Sequence, residues 1–276
     1  MKNFKITLLP IIFILLSSCS VAINTQPNVT LNTAETIPKN IALNGKIYSA
    51  LWQQNSGEFR ALCYQAYNIA KLRIDENQLF NDKKPLAIIT DIDETFLDNS
   101  PYAVSEGEKG KDFDAKTWAN WTAKASAKPY PGSLDFFNYV AFKKITVFYI
   151  SNRDQNDKIG TLKNLKDLNF PFADEAHLLL RDRSSDKEAR RLEVLKNYNV
   201  ILYLGDNLAD FSRLFNKRPQ IERNLIVDEI SQEFGKKFIM LPNSGYGDWE
   251  SATPGFNYKM TPAQKDSVIL KNVIGY

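Results

Sequence analysis

Several short apolar runs in this chain end in residues that can handle phosphoryl groups and metal ions. Leu86-Ala87-Ile88-Ile89-Thr90 runs into Asp91-Ile92-Asp93-Glu94-Thr95. Ile145 to Ile150 runs into Ser151-Asn152, and Val200 to Leu204 into Gly205-Asp206, with Asp210 close behind. Lys187 stands between the second and third of these groups. In an open α/β sheet, ligands bind beyond the carboxyl ends of the strands, so these positions converge if the runs are neighbouring strands. Asp91, Asp93, Asp206 and Asp210 then bring up to four carboxylates together. Like charges at such range cannot all stay ionised without compensation. A hard divalent cation with oxygen ligands supplies it, and Mg²⁺, one per site, suits few carboxylates, several waters and a phosphate oxygen. Lys187 adds a point charge suited to a phosphoryl group. Ser151 offers a hydroxyl, and the backbone at Asn152 an N–H donor.

Each residue also has a plainer role. An Asp after a strand often caps the next helix. Ser151 can close an ST turn, and Ser184-Ser185-Asp186-Lys187 can be a solvated helix start. The company of the other motifs weighs against these roles, least firmly at Lys187.

The elements that must position these residues follow from the pattern. The runs are continuously apolar rather than alternating, which suggests a parallel sheet covered on both faces. Phe238 to Leu241 and His177 to Leu180 read as further strands. Helical patterns over roughly 132–143, 155–168, 185–197 and 208–216 separate them. The expected class is α/β, a Rossmann-like parallel sheet with helices on both faces. A helical stripe precedes the first strand: Tyr48, Leu51, Trp52, Phe59, Leu62, Cys63, Ala66, Ile69 and Ala70, read as one long packing helix. Residues 98–130 break the alternation and carry Tyr102, Trp118, Trp121 and Tyr130. They read as a smaller helical cap inserted after the first strand. The expected organisation is residues 1–18 as a signal peptide, 19–40 as a tether and 41–276 as the catalytic domain with its cap.

Composition removes several classes. The formal charge is only +3, which argues against a nucleic-acid-binding stripe. His177 is the single histidine, which argues against histidine-nucleophile and two-histidine phosphatases, and it reads as structural. Six residues after Cys63 stands Ile69, where a tyrosine-phosphatase loop needs arginine, so Cys63 reads as a buried thiol. No Gly-x-x-x-x-Gly-Lys loop is present. A phosphonate hydrolase needs a Schiff-base lysine in the cap, and spacing alone leaves Lys109, Lys111 and Lys116 open for that role.

This ordered set resembles the four motifs of the haloacid dehalogenase (HAD) superfamily: Asp91-Ile92-Asp93-Glu94-Thr95, Ser151, Lys187, and Gly205-Asp206-Asn207 with Asp210. It is closer still to the bacterial class C acid phosphatases, from about residue 45 onward. Asp98-Asn99-Ser100-Pro101-Tyr102, Ser151-Asn152-Arg153, Gly205 to Phe211 and Leu241 to Glu250 carry that likeness. The resemblance implies a phosphomonoesterase in which Asp91 attacks phosphorus and forms an aspartyl phosphate. Asp93 would protonate the leaving alcohol and then deprotonate the hydrolytic water. Mg²⁺ would bind the Asp91 carboxylate, the Asp93 backbone carbonyl and Asp206, with Asp210 behind them. Ser151, Asn152 and Lys187 would hold the phosphoryl oxygens. An acidic optimum is expected, because Asp93 must start protonated. The resemblance also places Trp118 and Tyr246 around the substrate's ring, which points to nucleoside 5′-monophosphates. The alternative is that both are cap packing.

The first residues agree with that branch. Lys2 and Lys5 lead an apolar run, Leu8 to Leu16, broken by Pro10 and too short to span a bilayer. It fits a secretory signal peptide. Leu16-Ser17-Ser18-Cys19 resembles the bacterial lipobox, which implies acylation of Cys19 and a membrane anchor outside the cytoplasm. In a Gram-negative bacterium, Ser20 at the next position implies sorting to the outer membrane. The alternative is an ordinary signal peptide with an incidental cysteine. With Cys19 lipidated, Cys63 has no disulfide partner. Association with further copies of the chain stays open. A second function, a surface lipoprotein binding haem or a host ligand on a phosphatase scaffold, predicts a lost motif, and none is lost.

Overall fold

The computed structural model describes residues 40–77 and 84–276. The signal peptide, Cys19 and the tether up to residue 39 lie outside the described residues.

Two helices come first, α1 (Ile41–Asn55) and α2 (Gly57–Asn77). The stripe over 48–70 suggests one helix, and Ser56 divides it. Its N–H closes α1 on the Trp52 carbonyl (3.0 Å), while its hydroxyl accepts from the Phe59 N–H (3.1 Å) and caps α2. The stripe splits with it. Phe59, Cys63, Ala66 and Ala70 are buried in the core, whereas Tyr48, Leu51 and Leu62 are exposed.

After α2 come β1 (Leu86–Thr90), β2 (Leu97–Asp98), α3 (Ser100–Glu108), α4 (Ala115–Ala123), β3 (Lys128–Pro129) and α5 (Ser133–Phe142). They are followed by β4 (Thr146–Asp154), α6 (Lys158–Asp167), β5 (Leu178–Arg181), α7 (Glu188–Asn197), β6 (Asn199–Gly205) and α8 (Leu208–Phe211). The chain ends with α9 (Gln220–Glu229), β7 (Phe238–Met240), α10 (Asp248–Ala252) and α11 (Pro262–Asn272).

A five-stranded parallel sheet runs in the order β5-β4-β1-β6-β7. Alternate residues of β1 enter two separate cores. Ile88 joins Cys63, Phe96, Phe137 and Tyr149 on one face, while Ala87 and Ile89 join Phe148, Ile150 and Phe211 on the other. That is why the runs are apolar without alternation. Strand β6 lies beside the central strand β1, so Asp91 and Asp206 leave the sheet as neighbours.

Three boundaries differ from the sequence reading. The second apolar run does not stop at Ser151, because β4 continues to Asp154, with an irregularity in its pairing to β5 between Ile150 and Asp154. A short 3₁₀ turn, Gln155–Asp157, precedes α6. The helix expected over 208–216 stops at Phe211, where extended Ser212 caps a second 3₁₀ turn.

Residues 98–130 fold back on themselves. The short antiparallel pair of β2 with β3 sets Leu97 opposite Pro129 and Asp98 opposite Lys128, joining the two ends of the segment. Between them, α3 packs on α1 and α4 packs on α6. The approach to α1 is close: a Cβ on Gly107 would meet the Ile47 side chain at 2.8 Å. The far end of the chain ties in as well. Asp266 of α11 accepts from the Ile41 and Ala42 N–H groups at the start of α1 (2.8 and 3.3 Å). Asp112, between α3 and α4, bridges Lys46 and Lys265, each at 2.8 Å.

Candidate active site

The strand ends bring the expected residues together in two groups. The first surrounds Asp91, whose N–H is held by the Leu204 carbonyl of β6 (3.0 Å). Asp91, Asp206 and Asp210 are buried, and each offers one oxygen within 4.8 Å of the others. Lys187, at the start of α7, pairs with Asp91 and reaches Asp210 Oδ1 at 2.7 Å. The Thr95 hydroxyl sits between Asp206 Oδ1 (3.1 Å) and Asp91 Oδ2 (3.4 Å). Asn243 donates to Asp206 Oδ2 (2.7 Å). Asp210 also accepts the Asn207 N–H (3.0 Å) in a capping box, so its helix-capping and site roles coexist. A Cβ on Gly205 would come within 2.5 Å of the Asp210 side chain, so glycine is what lets this carboxylate in.

The charges in this group do not balance. Burial pushes Asp91 up to about 7, against the pull of Lys187 and helped by Asp210 and Asp93. Burial, with Asp210 and Asp91 beside it, raises Asp206 well above the usual carboxylate range. Burial works against the Lys187 charge, but Asp210 and Asp91 outweigh it and hold the ammonium protonated. Three buried carboxylates facing one ammonium, with oxygens this close, fit a divalent cation of Mg²⁺ type. Asp210 belongs to this trio itself. The Asp93 carboxylate does not, which leaves only its backbone carbonyl for a metal.

The second group surrounds Asp93. The Arg153 guanidinium, 2% exposed, grips it: Nη2 to Oδ1 at 2.8 Å, Nε to Oδ1 at 3.0 Å and Nε to Oδ2 at 3.2 Å. Ser151 donates to Oδ2 (3.2 Å) and accepts the Arg153 N–H (3.1 Å). Asn99 donates to Oδ1 (2.9 Å). Arg153 is steadied by the Thr161 hydroxyl (3.0 Å) and lies 5.7 Å from the Trp118 ring centre. Burial works against its charge, and Asp93 more than restores it. The Asn152 side chain is exposed and bound to Arg190 Nη2 (2.7 Å), while Arg190 Nη1 holds the Ser151 carbonyl (2.6 Å). Burial brings Arg190 down to about 10.

The two rings expected at the substrate flank this second group. Trp118 stands over Arg153 and also packs edge-on against Tyr102, with centroids 5.0 Å apart. Tyr246 is 39% exposed, with its hydroxyl bonded to buried Glu94. Glu94 sits at φ 56°, in the left-handed region, and also accepts the Asn99 N–H (2.8 Å). Burial, with the Asp93 charge beside it, pushes Glu94 up to about 8. Trp121 instead donates its indole N–H to Asn99 (2.8 Å).

Other residues lie apart. His177 pairs with Asp174 (2.8 Å) and packs near Phe148 and Phe172. Burial pushes the Cys63 thiol up to about 12. Lys109, Lys111 and Lys116 are exposed, and Lys109 pairs with Glu106. The residues to which sequence gave no role are Glu94, Thr95, Asn99, Arg153, Arg190 and Asn243. Most stood inside the quoted motifs, where position was the available signal. Arg190 stood in the basic run Arg190-Arg191, which looks like a solvated helix face.

Comparison with known proteins gives the family. The family model described as HAD superfamily, subfamily IIIB (acid phosphatase) matches residues 13–249. A crystal structure of the class C acid phosphatase from Bacillus anthracis with tungstate bound is 38% identical, with a TM-score of 0.83. It covers 86% of this chain and 100% of that one. Another structure of the Bacillus anthracis class C acid phosphatase is 39% identical, with a TM-score of 0.82, over 85% and 99% of the two chains. The stem 31 kDa glycoprotein of Glycine max is 25% identical over 165 residues, 57% of this chain. The match spans 62% of the length of that curated relative.

Proposed function

Because the chain belongs to the HAD superfamily, subfamily IIIB, among the class C acid phosphatases, we propose that it hydrolyses phosphomonoesters through an aspartyl phosphate on Asp91. The observation that carries this reading is the placement of Asp91, buried beside Lys187 and two further carboxylates, with the Asp93–Ser151 pair next to it. Lys187 and Ser151, with the N–H of Asn152, hold the phosphoryl oxygens. An Asp91 oxygen attacks phosphorus as the bond to the leaving alcohol breaks, and Asp93 gives that oxygen its proton. Water then attacks the aspartyl phosphate, Asp93 takes the water's proton, and phosphate leaves with Asp91 free. Asp91, Asp206 and Asp210 would hold a Mg²⁺ ion, which would supply the positive charge a phosphate dianion needs near these carboxylates. The deciding experiment is a phosphatase panel with EDTA and with added Mg²⁺. Turnover that ignores both would sink the mechanism.

For the substrate, nucleoside 5′-monophosphates follow from Trp118 and Tyr246 flanking the acid. Stacking contributes roughly 1–3 kcal/mol per base and tolerates different bases. Trp118→Ala should therefore lower kcat/KM for nucleotides about 10-fold more than for a small alkyl phosphate. Equal losses would return Trp118 to cap packing.

The site of action in this reading is the outer membrane, through lipid on Cys19. Metabolic labelling with palmitate should mark the wild type and not Cys19→Ala. A labelled Cys19→Ala protein would remove the anchor from this residue.

A further inference from the structure

Asp93 has one oxygen that is fixed and one that is available, and a residue outside the expected site does part of the fixing. Asn99 occupies the N-cap of α3 and is 3% exposed. An asparagine at an N-cap ordinarily turns its side-chain oxygen onto the N–H groups of the first turn. Asn99 makes no such bond. Its Oδ1 accepts the indole N–H of Trp121 (2.8 Å), and its Nδ2 donates to Asp93 Oδ1 (2.9 Å). An indole nitrogen can only donate. Trp121, on cap helix α4, marks the oxygen end of the amide, and the Leu97 carbonyl, which also accepts from Nδ2 (3.4 Å), marks the other; together they turn the NH₂ toward Asp93. The Asn99 N–H, bound to Glu94 (2.8 Å), holds the residue from the other side.

The two oxygens of Asp93 are consequently unlike. Oδ1 takes Asn99 Nδ2 and two guanidinium nitrogens at 2.8 and 3.0 Å. Oδ2 has only two longer contacts, Arg153 Nε and the Ser151 hydroxyl, both at 3.2 Å. An oxygen facing three N–H donors has no room for a proton of its own. Oδ2 does, and it lies beside the hydroxyl assigned to the phosphoryl group.

We propose that Asn99 is a positioning residue, oriented by Trp121, that fixes Oδ1 of Asp93 so that Oδ2 exchanges the proton with the leaving oxygen. This rests on the phosphatase reading above. In the first step the P–O bond to the leaving group breaks, its electron pair takes the proton from Oδ2, and Asp93 is left as a carboxylate. The cap thus orients the acid as well as walling the site.

The test compares kcat/KM for a nucleoside 5′-monophosphate and for p-nitrophenyl phosphate, with Mg²⁺, in wild type, Asp91→Asn, Asn99→Ala and Trp121→Phe. This quantity reports formation of the aspartyl phosphate, before water enters. An alkoxide needs the proton to leave, whereas nitrophenolate leaves without it. Asn99→Ala should lower the nucleotide value about 100-fold, the low end of what general acid catalysis contributes. The nitrophenyl value should fall less than about threefold, because that contribution is not needed there. Trp121→Phe keeps an aromatic ring at the position and loses the indole donor, so it should show the same split at about 10-fold. It carries the test alone if Asn99→Ala does not fold. Wild type without turnover, or an active Asp91→Asn, would overturn the phosphatase reading itself. With those controls in order, equal loss on both substrates would overturn the role of Asn99 alone.

Discussion

The two carboxylates of the Asp91-Ile92-Asp93 turn sit in opposite electrostatic settings. Asp91 shares its space with Asp206 and Asp210, and the one ammonium among them pairs with only Asp91 and Asp210. Asp93 alone receives a guanidinium, an amide and a hydroxyl. The first group lacks positive charge, and the second is complete within the chain. Neighbouring carboxyl groups whose settings differ in this way can take different chemical roles. The group short of cations suits a nucleophile that meets a metal and a phosphate together. The saturated group suits an acid whose orientation matters more than its charge.

The sharpest break of this contrast is Asp91→Asn. The amide keeps the shape and removes the nucleophile, so turnover should fall about 10⁴-fold or more. Retention of turnover would move the chemistry elsewhere. Metal removal comes next. With EDTA the Asp91 group keeps its unbalanced charge, and Mg²⁺ at about 100 times its Kd should add about 2.7 kcal/mol. For a chain of this size that is a rise in Tm of roughly 5–10 °C. Asp206→Asn should abolish most of this rise without lowering Tm in EDTA, because it removes one of the repelling charges. A large loss of Tm in EDTA would show that the trio is balanced without a metal. The Asp93 group should respond in the reverse way. Arg153→Met leaves the Asp93 charge without its buried partner and should cost about 3 kcal/mol by urea unfolding. Added Mg²⁺ should not restore it, since the Asp93 carboxylate lies outside the trio.

This contrast also marks how much could be read in advance. Asp91, Asp206 and Lys187 were legible because each follows an apolar run or opens a helix, and a parallel sheet must bring such ends together. Arg153 and Asn99 had no such marker. Arg153 lies inside β4 because that strand continues past Ser151, and its role comes from the side-chain geometry at the irregular end of β4. Asn99 looks like an ordinary N-cap, and the indole of Trp121 turns it away from that task. The single long helix expected over 48–70 failed for a local reason, since one serine both ended α1 and capped α2. Periodicity reports the face a helix buries and is blind to a break that preserves the stripe.

The smallest expected effect lies where the two groups share a neighbour. Glu94 follows Asp93 in sequence, and its carboxyl is bound by the Tyr246 hydroxyl and the Asn99 N–H. Tyr246→Phe removes one of these partners and keeps the ring. The ring is 39% exposed, so little packing is lost. What is lost is one hydrogen bond to a buried carboxyl, worth about 1 kcal/mol and a fall in Tm of roughly 2–4 °C. Turnover on nucleotides should stay within about threefold, because the stacking face and the Asn99–Glu94 bond both remain. Tyr246→Ala should lower kcat/KM for nucleotides by about 10-fold while alkyl phosphates change little, since it takes the face as well. If Tyr246→Phe were as damaging as Tyr246→Ala, the hydroxyl and not the ring would be the working part. Glu94 would then have to be counted with the Asp93 group as a support of catalysis.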